Sequence, residues 1–282
     1  MNLYDYNTIN KVLSKHGFTF SKALGQNFLI NPGVCPAMAA ALNADEKTGV
    51  LEIGPGIGVL TKELCAVAGR VVSIELDKRL FPVLDETLAD CNNLEIVEGD
   101  ALKLDLNALI AEKFAGMNSV KVCANLPYYI TSPIIIKLLE SRLTVDEIVV
   151  MVQKEAAERL TAEVGSRECG SVSVFVNYYA ESEVLFGVSR ESFMPAPKVN
   201  SAVIRLKLRE EPPVKVSDEA HFFKVVKAAF SQRRKTALNC LSNGLGLGKA
   251  QVASALEEIG RSANDRAENF TMEELAALAE LL

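Results

Sequence analysis

Leu51-Glu52-Ile53-Gly54-Pro55-Gly56-Ile57-Gly58 is the stretch on which the reading of this chain turns. An apolar β-type run, Val50 to Ile53, passes directly into a glycine-rich turn. Behind the turn, Leu60, Leu64 and Val67 recur at the spacing of one buried helix face. Glycines let the backbone turn tightly and come close to a ligand. Strand, turn and helix in that order make a nucleotide-type site at the carboxyl end of a parallel strand. The spacing here is G-x-G-x-G, whereas dinucleotide-binding folds carry G-x-G-x-x-G. That difference disfavours an NAD-dependent oxidoreductase. A glycine loop alone also serves as a bare structural turn, so the flanking sequence has to decide.

Outward from the loop, strand-like and helix-like patterns alternate. Arg70–Leu76, Leu94–Val97, Val120–Ala124 and Glu147–Val152 read as strands. Leu80–Leu88, Leu106–Phe114, Pro133–Leu139 and a stretch near Glu155–Ala162 read as helices. Such alternation predicts an α/β fold with a parallel sheet covered on both faces. Upstream, a short helix is expected within residues 1–20, and Pro32 starts a helical run through Met38 to Leu42. Residues 171–180 (SVSVFVNYYA) fit either pattern. Glu183–Val188 and Ala202–Leu208 read as late strands, and Glu210-Glu211-Pro212-Pro213 as a linker. The remainder is helical, with Thr271 and Glu274 spaced for a capping box and Phe270 and Leu275 for a hydrophobic staple. The expected division is therefore 1–210 and 211–282.

Composition narrows the class. With 49% hydrophobic residues the 282-residue chain can bury a sizeable core. No apolar run reaches the length of about 18 residues that a membrane span needs, and the N-terminus lacks a secretory h-region. A cytoplasmic protein without membrane attachment is expected. The six cysteines are scattered without a C-x-x-C pair, and the two histidines are far apart, so neither a disulfide framework nor a metal site is expected. Net charge is −6, but Lys198 to Lys235 holds ten Lys/Arg against four acidic residues. That segment is +6 and the rest of the chain −12. The asymmetry suggests a localised phosphate-binding face, with a solvated helix surface as the plainer explanation.

Three further stretches carry chemistry. Glu75 ends the second strand about 20 residues beyond the glycine loop, where an acidic residue takes ribose hydroxyls. Asp100 follows the third strand, placed to accept from an adenine amino group. Both open on the same sheet edge as the glycine loop. Asn125-Leu126-Pro127-Tyr128 follows the fourth strand and could be simply an Asn-led turn with proline fixing φ.

The glycine loop, with Glu52 two residues ahead of Gly54, resembles motif I of S-adenosylmethionine (AdoMet) methyltransferases, E-x-G-x-G-x-G. Asn125-Leu126-Pro127-Tyr128 resembles motif IV of amino-methylating enzymes in the N-L-P-Y form of RNA adenine-N6 dimethyltransferases. Further ordered matches are K-x-x-G-Q-N-F-L (Lys22 to Leu29), Gly99-Asp100-Ala101, F-x-P-x-P-K-V-x-S (Phe193 to Ser201) and A-F-x-Q-R-R-K-T (Ala229 to Thr236). Together they cover nearly the whole chain, which resembles the small-subunit (16S) ribosomal RNA adenine dimethyltransferase family. Cys169, where bacterial relatives commonly have Tyr, and Asn200, where Asp is usual, depart from the pattern.

The resemblance implies a Rossmann-like AdoMet-dependent methyltransferase domain in 1–210 and a small helical, RNA-binding domain in 211–282. It implies that Asn27, Leu29, Gly54, Gly56, Glu75, Asp100, Ala101 and Asn125 contact AdoMet or frame its pocket. Asn125 and the Leu126 carbonyl would accept from the adenine amino group, Pro127 would add no competing N–H, and Tyr128 and Phe193 would stack the base. Lys198, Lys224, Lys227, Arg233, Arg234 and Lys235 are the candidate RNA contacts. The implied reaction is direct methyl transfer, with no metal and no covalent enzyme intermediate. Its product is N6,N6-dimethyladenosine at two adjacent positions near the 3′ end of small-subunit ribosomal RNA, made by a monomer during subunit assembly. Two alternatives share the fold: a 23S ribosomal RNA dimethyltransferase of the macrolide-resistance type, and a non-catalytic RNA-binding assembly factor. The forms of the Phe193 and Ala229 motifs disfavour the first, and the intact Asn125-Leu126-Pro127-Tyr128 disfavours the second.

Overall fold

The computed structural model describes residues 1–19 and 27–282, so Lys22 to Gln26 of the N-terminal motif lie outside the described residues. Helices and strands follow in the order α1 (Tyr6–Lys15), β1 (Phe28–Leu29), α2 (Val34–Ala41), β2 (Thr48–Ile53), α3 (Val59–Val67), β3 (Arg70–Glu75), α4 (Phe81–Thr87), β4 (Leu94–Glu98), α5 (Leu106–Lys113), β5 (Ser119–Asn125), α6 (Thr131–Glu140) and β6 (Glu147–Gln153). They continue with α7 (Lys154–Leu160), α8 (Ser171–Tyr179), β7 (Ala180–Val188), β8 (Phe193–Met194), β9 (Ser201–Leu208), α9 (Glu219–Ala229), α10 (Ala237–Leu245), α11 (Lys249–Glu258) and α12 (Met272–Leu281). Among the described residues no helix is long and apolar enough to cross a membrane.

The first of two compact units comprises Met1–Ala157 and Glu183–Leu208. Its sheet has the order β4-β3-β2-β5-β6-β9-β7. The β4 to β6 pairs are parallel, and β9 runs antiparallel to β6. Every residue of β2 is buried, as expected for a central parallel strand covered on both faces. Strand order reverses at β2, with β3 on one side and β5 on the other, so the glycine loop sits at the topological switch point where ligands enter such sheets. Leu60 and Leu64 bury the inner face of α3 as their spacing requires, and Val67 is half-buried. A separate two-stranded ladder pairs Phe28 with Met194 and Leu29 with Phe193.

The second unit comprises Glu158–Ser182 and Arg209–Leu282. The chain crosses between units near residue 210, and also at 157/158 and 182/183, so the helical unit is discontinuous in sequence. The reason is α8. Its Val174 and Tyr178 belong to the same buried cluster as Phe222, Val226, Leu241 and Leu275. The ambiguous run 171–180 is thus mostly helix: a β-branched pattern is outweighed by the burial available on the helical core. The capping box on α12 forms as spaced, Glu274 N–H donating to Thr271 Oγ1 at 3.2 Å and Thr271 N–H to Glu274 Oε2 at 2.8 Å.

Candidate active site

The glycine loop opens one cavity in the first unit. Gly54, Gly56 and Gly58 have φ of 72°, 60° and 88°, the left-handed region open to glycine. A Cβ on Gly54 would meet nothing within 4 Å, so only its backbone conformation asks for glycine there. At Gly58 a Cβ would also stand 2.8 Å from the Leu88 side chain.

Two glutamates anchor the loop. Glu52 on β2 is 1% exposed and accepts from Thr61 Oγ1 on α3 at 2.7 Å and from Ser73 Oγ, its register neighbour on β3. Burial pushes its carboxyl up to about 7, against the pull of those two hydroxyls. Glu75, at the end of β3, is 6% exposed and faces the cavity. Its Oε1 accepts from Asp77 N–H at 2.7 Å and its Oε2 from Gly56 N–H at 3.4 Å. Burial raises this carboxyl too, while the backbone donors hold it down. A carboxylate fixed this way at a sheet edge offers its remaining lone pairs to a pair of hydroxyls. Asp100, following β4, also lines the cavity; its Oδ1 accepts from Leu102 N–H at 3.0 Å.

Across the cavity, Asn125 closes β5, and Leu126 is tied to β6 by its N–H donating to the Met151 carbonyl at 3.1 Å. Tyr128 is held by a 2.8 Å hydrogen bond between its hydroxyl and Ser201 Oγ at the start of β9, which fixes where the ring lies. Phe193 is buried and reaches the same cavity from β8, positioned by its register with Leu29. Asn31 Nδ2 donates to Ser192 Oγ at 3.0 Å and Ile30 N–H to the Ser192 carbonyl at 2.8 Å, which extends that attachment.

Asn27, Leu29, Gly54, Gly56, Glu75, Asp100, Ala101, Asn125, Leu126, Pro127, Tyr128 and Phe193 therefore all line one cavity. Sequence reading missed Leu76 and Tyr129, both at its wall and about half exposed (50% and 53%). The available signal was a second tyrosine next to Tyr128. The donor set fits AdoMet: a buried carboxylate for vicinal hydroxyls, an acceptor at Asp100 for an amino group, and apolar walls at Ile57 and Leu80 for an adenine ring. Cys35 lines the cavity as well, but burial pushes its thiol up, so it stays a thiol and not a nucleophilic thiolate.

The candidate RNA contacts lie on separate elements of the two units. Lys198 lies on an exposed loop of the first unit. Lys224 and Lys227 are exposed on α9, and Arg233, Arg234 and Lys235 occupy the exposed turn before α10. Two cations of the basic segment are already committed: Arg205 pairs with Glu147 and Glu183, and Arg209 with Glu181. Arg159 and Arg266, distant in sequence, join Arg233 and Lys235 around a second cavity. Asn200, one of the two departures, uses its side-chain oxygen to accept from Arg190 N–H at 3.1 Å.

Comparison with known proteins agrees with this geometry. Residues 17–282 match the family model described as ribosomal RNA adenine dimethylase. A protein of Geobacillus sp. (strain WCH70) named ribosomal RNA small subunit methyltransferase A is 49% identical over 275 residues, 96% of this chain and 94% of the relative. One of the same name from Bacillus mycoides (strain KBAB4) is 45% identical over 279 residues, 98% of this chain and 96% of the relative. Among solved structures, a dimethyladenosine transferase from Plasmodium falciparum superposes with a TM-score of 0.71 at 28% identity, over 89% of this chain and 95% of the other. The 23S rRNA methyltransferase ErmE gives 0.67 at 28% identity, over 91% and 99%. The glycine loop, the acidic strand ends and the Asn125–Tyr128 turn thus sit in a chain that belongs to the ribosomal RNA adenine dimethylase family.

Proposed function

We propose that this chain is an AdoMet-dependent enzyme that converts two adjacent adenosines near the 3′ end of small-subunit ribosomal RNA to N6,N6-dimethyladenosine during subunit assembly. The observation that carries the reading is one cavity lined at once by Glu75 and Asp100 and by Asn125, Tyr128 and Phe193. Relatives named for the small subunit are 45–49% identical, against 28% for the 23S enzyme, which supports the small-subunit substrate. The enzyme acts as a cytoplasmic monomer.

Bound AdoMet supplies a methyl group made electrophilic by its sulfonium. Glu75 would hold the ribose hydroxyls and Asp100 the adenine amino group of the donor, while Asn27, Leu29, Gly54, Gly56 and Ala101 would frame it. The target adenosine leaves its stack, which costs a few kcal/mol and less from a loop than from a duplex. Tyr128, fixed through Ser201, and Phe193, fixed through β1, receive the base between them. The adenine amino nitrogen is a poor nucleophile because its lone pair is delocalised into the ring. The Asn125 side-chain oxygen and the Leu126 carbonyl accept from its two hydrogens and favour a pyramidal nitrogen with its lone pair directed at the methyl. As the nitrogen takes the methyl, the methyl–sulfur bond would break and leave a neutral thioether; the alkylated nitrogen is then acidic enough to release its proton to water, so no strong base is needed. Placement and electrostatic preparation are the protein's part in the rate.

The experiment is methyl transfer from labelled AdoMet to small-subunit particles from cells lacking the gene, with modified nucleosides mapped by mass spectrometry. Label is expected in two neighbouring adenosines near the 3′ end; label in large-subunit RNA instead overturns the substrate. In the same assay, Asn125→Ala is expected to lower the single-turnover rate about 10²–10³-fold, the scale of losing one pre-organised polar group, with RNA affinity little changed. A near-normal rate would sink the role given to Asn125.

A further inference from the structure

The second unit contains its own cavity of about 280 Å³. A lone water needs only about 10–15 Å³ of such space, so there is room for a group the size of a nucleobase. Its walls come from the start of α8, the turn after α9 and residues 266–268, with Arg159 added from α7. Val172, Ala229 and Phe230 are among its apolar lining residues, Phe230 being aromatic. Four cations, Arg159, Arg233, Lys235 and Arg266, stand around it against two carboxylates, Glu168 and Glu268.

Arg233 is fixed in place, and it and Arg266 share one long ion-pair partner. Arg233 Nη2 donates to the Arg167 carbonyl at 2.9 Å, which fixes the guanidinium. Glu268 lies 4.0 Å from both Arg233 and Arg266, at the outer limit of an ion pair. Both arginines stay largely exposed, 64% and 51% of their side chains, so their forks remain open to an oxyanion.

We propose that this cavity receives one unstacked nucleotide of the RNA substrate, its base against Phe230 and Val172 and its phosphate among Arg159, Arg233, Lys235 and Arg266. The inference rests on the reading of the chain as an RNA methyltransferase, and the nucleotide is distinct from the adenosine being methylated. Proteins that read RNA do so mostly at splayed, single-stranded nucleotides, by stacking the base on an aromatic ring or a guanidinium plane. A duplex backbone would need only a convex basic surface, and a free phosphate would need no apolar wall. Gln232 at the rim adds an amide that can donate to and accept from a base edge.

The test fills the hole without changing its charge. Val172→Trp, and Ser171→Trp on the rim should the first not fold, are compared with the wild type for RNA affinity and for the slope of log affinity against log salt. About a tenfold loss of RNA affinity is expected, with salt slope and AdoMet affinity unchanged. Arg159→Ala with Arg266→Ala should instead flatten the slope by about 0.7–0.9 for every phosphate no longer neutralised. A filling variant that binds RNA like the wild type overturns the proposal and leaves the cations as ordinary phosphate surface. A second measurement needs no variant: AdoMet-saturated wild-type protein is titrated with each of the four nucleoside 5′-monophosphates and with inorganic phosphate, following the methyl resonances of Val172. At least one nucleotide should shift them where phosphate does not; no shift with any nucleotide, or the same shift with phosphate, overturns the placement of the base. Wild-type protein that binds no RNA at all would be a failure of the underlying functional reading, visible before any variant is made.

Discussion

Glu52 and Glu75 are neighbouring buried carboxylates with different work to do. Glu75 faces the cavity and keeps lone pairs for a ligand, so under the proposed function Glu75→Ala would leave two ribose hydroxyls without their charged acceptor. AdoMet binding is expected to weaken by about 1.5–3 kcal/mol, the range for hydrogen bonds to a charged group. Calorimetry giving an unchanged affinity would refute the assignment. Glu52 faces inward and clamps α3 and β3 to β2 through Thr61 and Ser73. Its folded value of about 7 lies above the ordinary 4.5. Between those values the folded chain keeps a proton that the unfolded chain has already released. Glu52 therefore makes stability fall as pH rises through that window, by up to about 3 kcal/mol, and contributes no further change above it. Glu52→Gln should abolish this part of the fall. Urea unfolding of both proteins near pH 5 and pH 8 measures it, and parallel stability curves would show that the carboxyl is not protonated in the folded chain.

At the scale of elements, the join between β2 and α3 is the most constrained. Gly58 caps α3 at φ 88°, and its Cα hydrogen points at Leu88, which sits just after α4. Gly58→Ala meets both a left-handed backbone and a 2.8 Å approach to the Leu88 side chain. A loss of about 1–3 kcal/mol in unfolding free energy is expected, read as a lower urea midpoint at constant slope. An alanine variant as stable as the wild type would mean that the loop rearranges freely and does not hold a fixed ligand-binding shape. α8 shows the opposite relation between pattern and element. Its sequence, SVSVFVNYY, favours a strand by residue type, yet Ser173, Val174, Phe175, Val176 and Tyr178 are all buried on a helix. Burial on the helical core outweighs an intrinsic preference of tenths of a kcal/mol per residue.

For the whole molecule, charge is the property that connects the two units to function. The net −6 conceals a basic turn, Arg233-Arg234-Lys235, whose side chains are exposed. Replacing all three by Ala should lower RNA affinity and flatten its salt dependence, by about 0.7–0.9 in log–log slope for each phosphate left without its cation. A slope equal to that of the wild type would make the turn solvated surface only. The basic surplus read from composition overstates what is available, because Arg205 and Arg209 are already paired with Glu147, Glu183 and Glu181. It also omits Arg159 and Arg266, which reach the turn only through the fold.

What the sequence determined by itself was local. The period of apolar residues placed β2 to β6 and their helices, and the glycine spacing placed the turn. Thr271 and Glu274 placed a cap that forms as spaced. Of the residues that line the cavity, Glu75 and Asp100 were legible because each lies at or just beyond the end of a parallel strand, and strand ends of one sheet share an edge; Asn125-Leu126-Pro127-Tyr128 was legible through its resemblance to a known motif. Tertiary structure alone decided the pairings between distant segments. It set Phe193 beside Leu29, tied Tyr128 to Ser201, and joined residues 158–182 to the C-terminal helices. The physical reason is that periodicity and turn chemistry are written within a few residues. Which distant apolar surfaces bury one another depends on the whole set of competing interactions, and no short stretch of sequence records that.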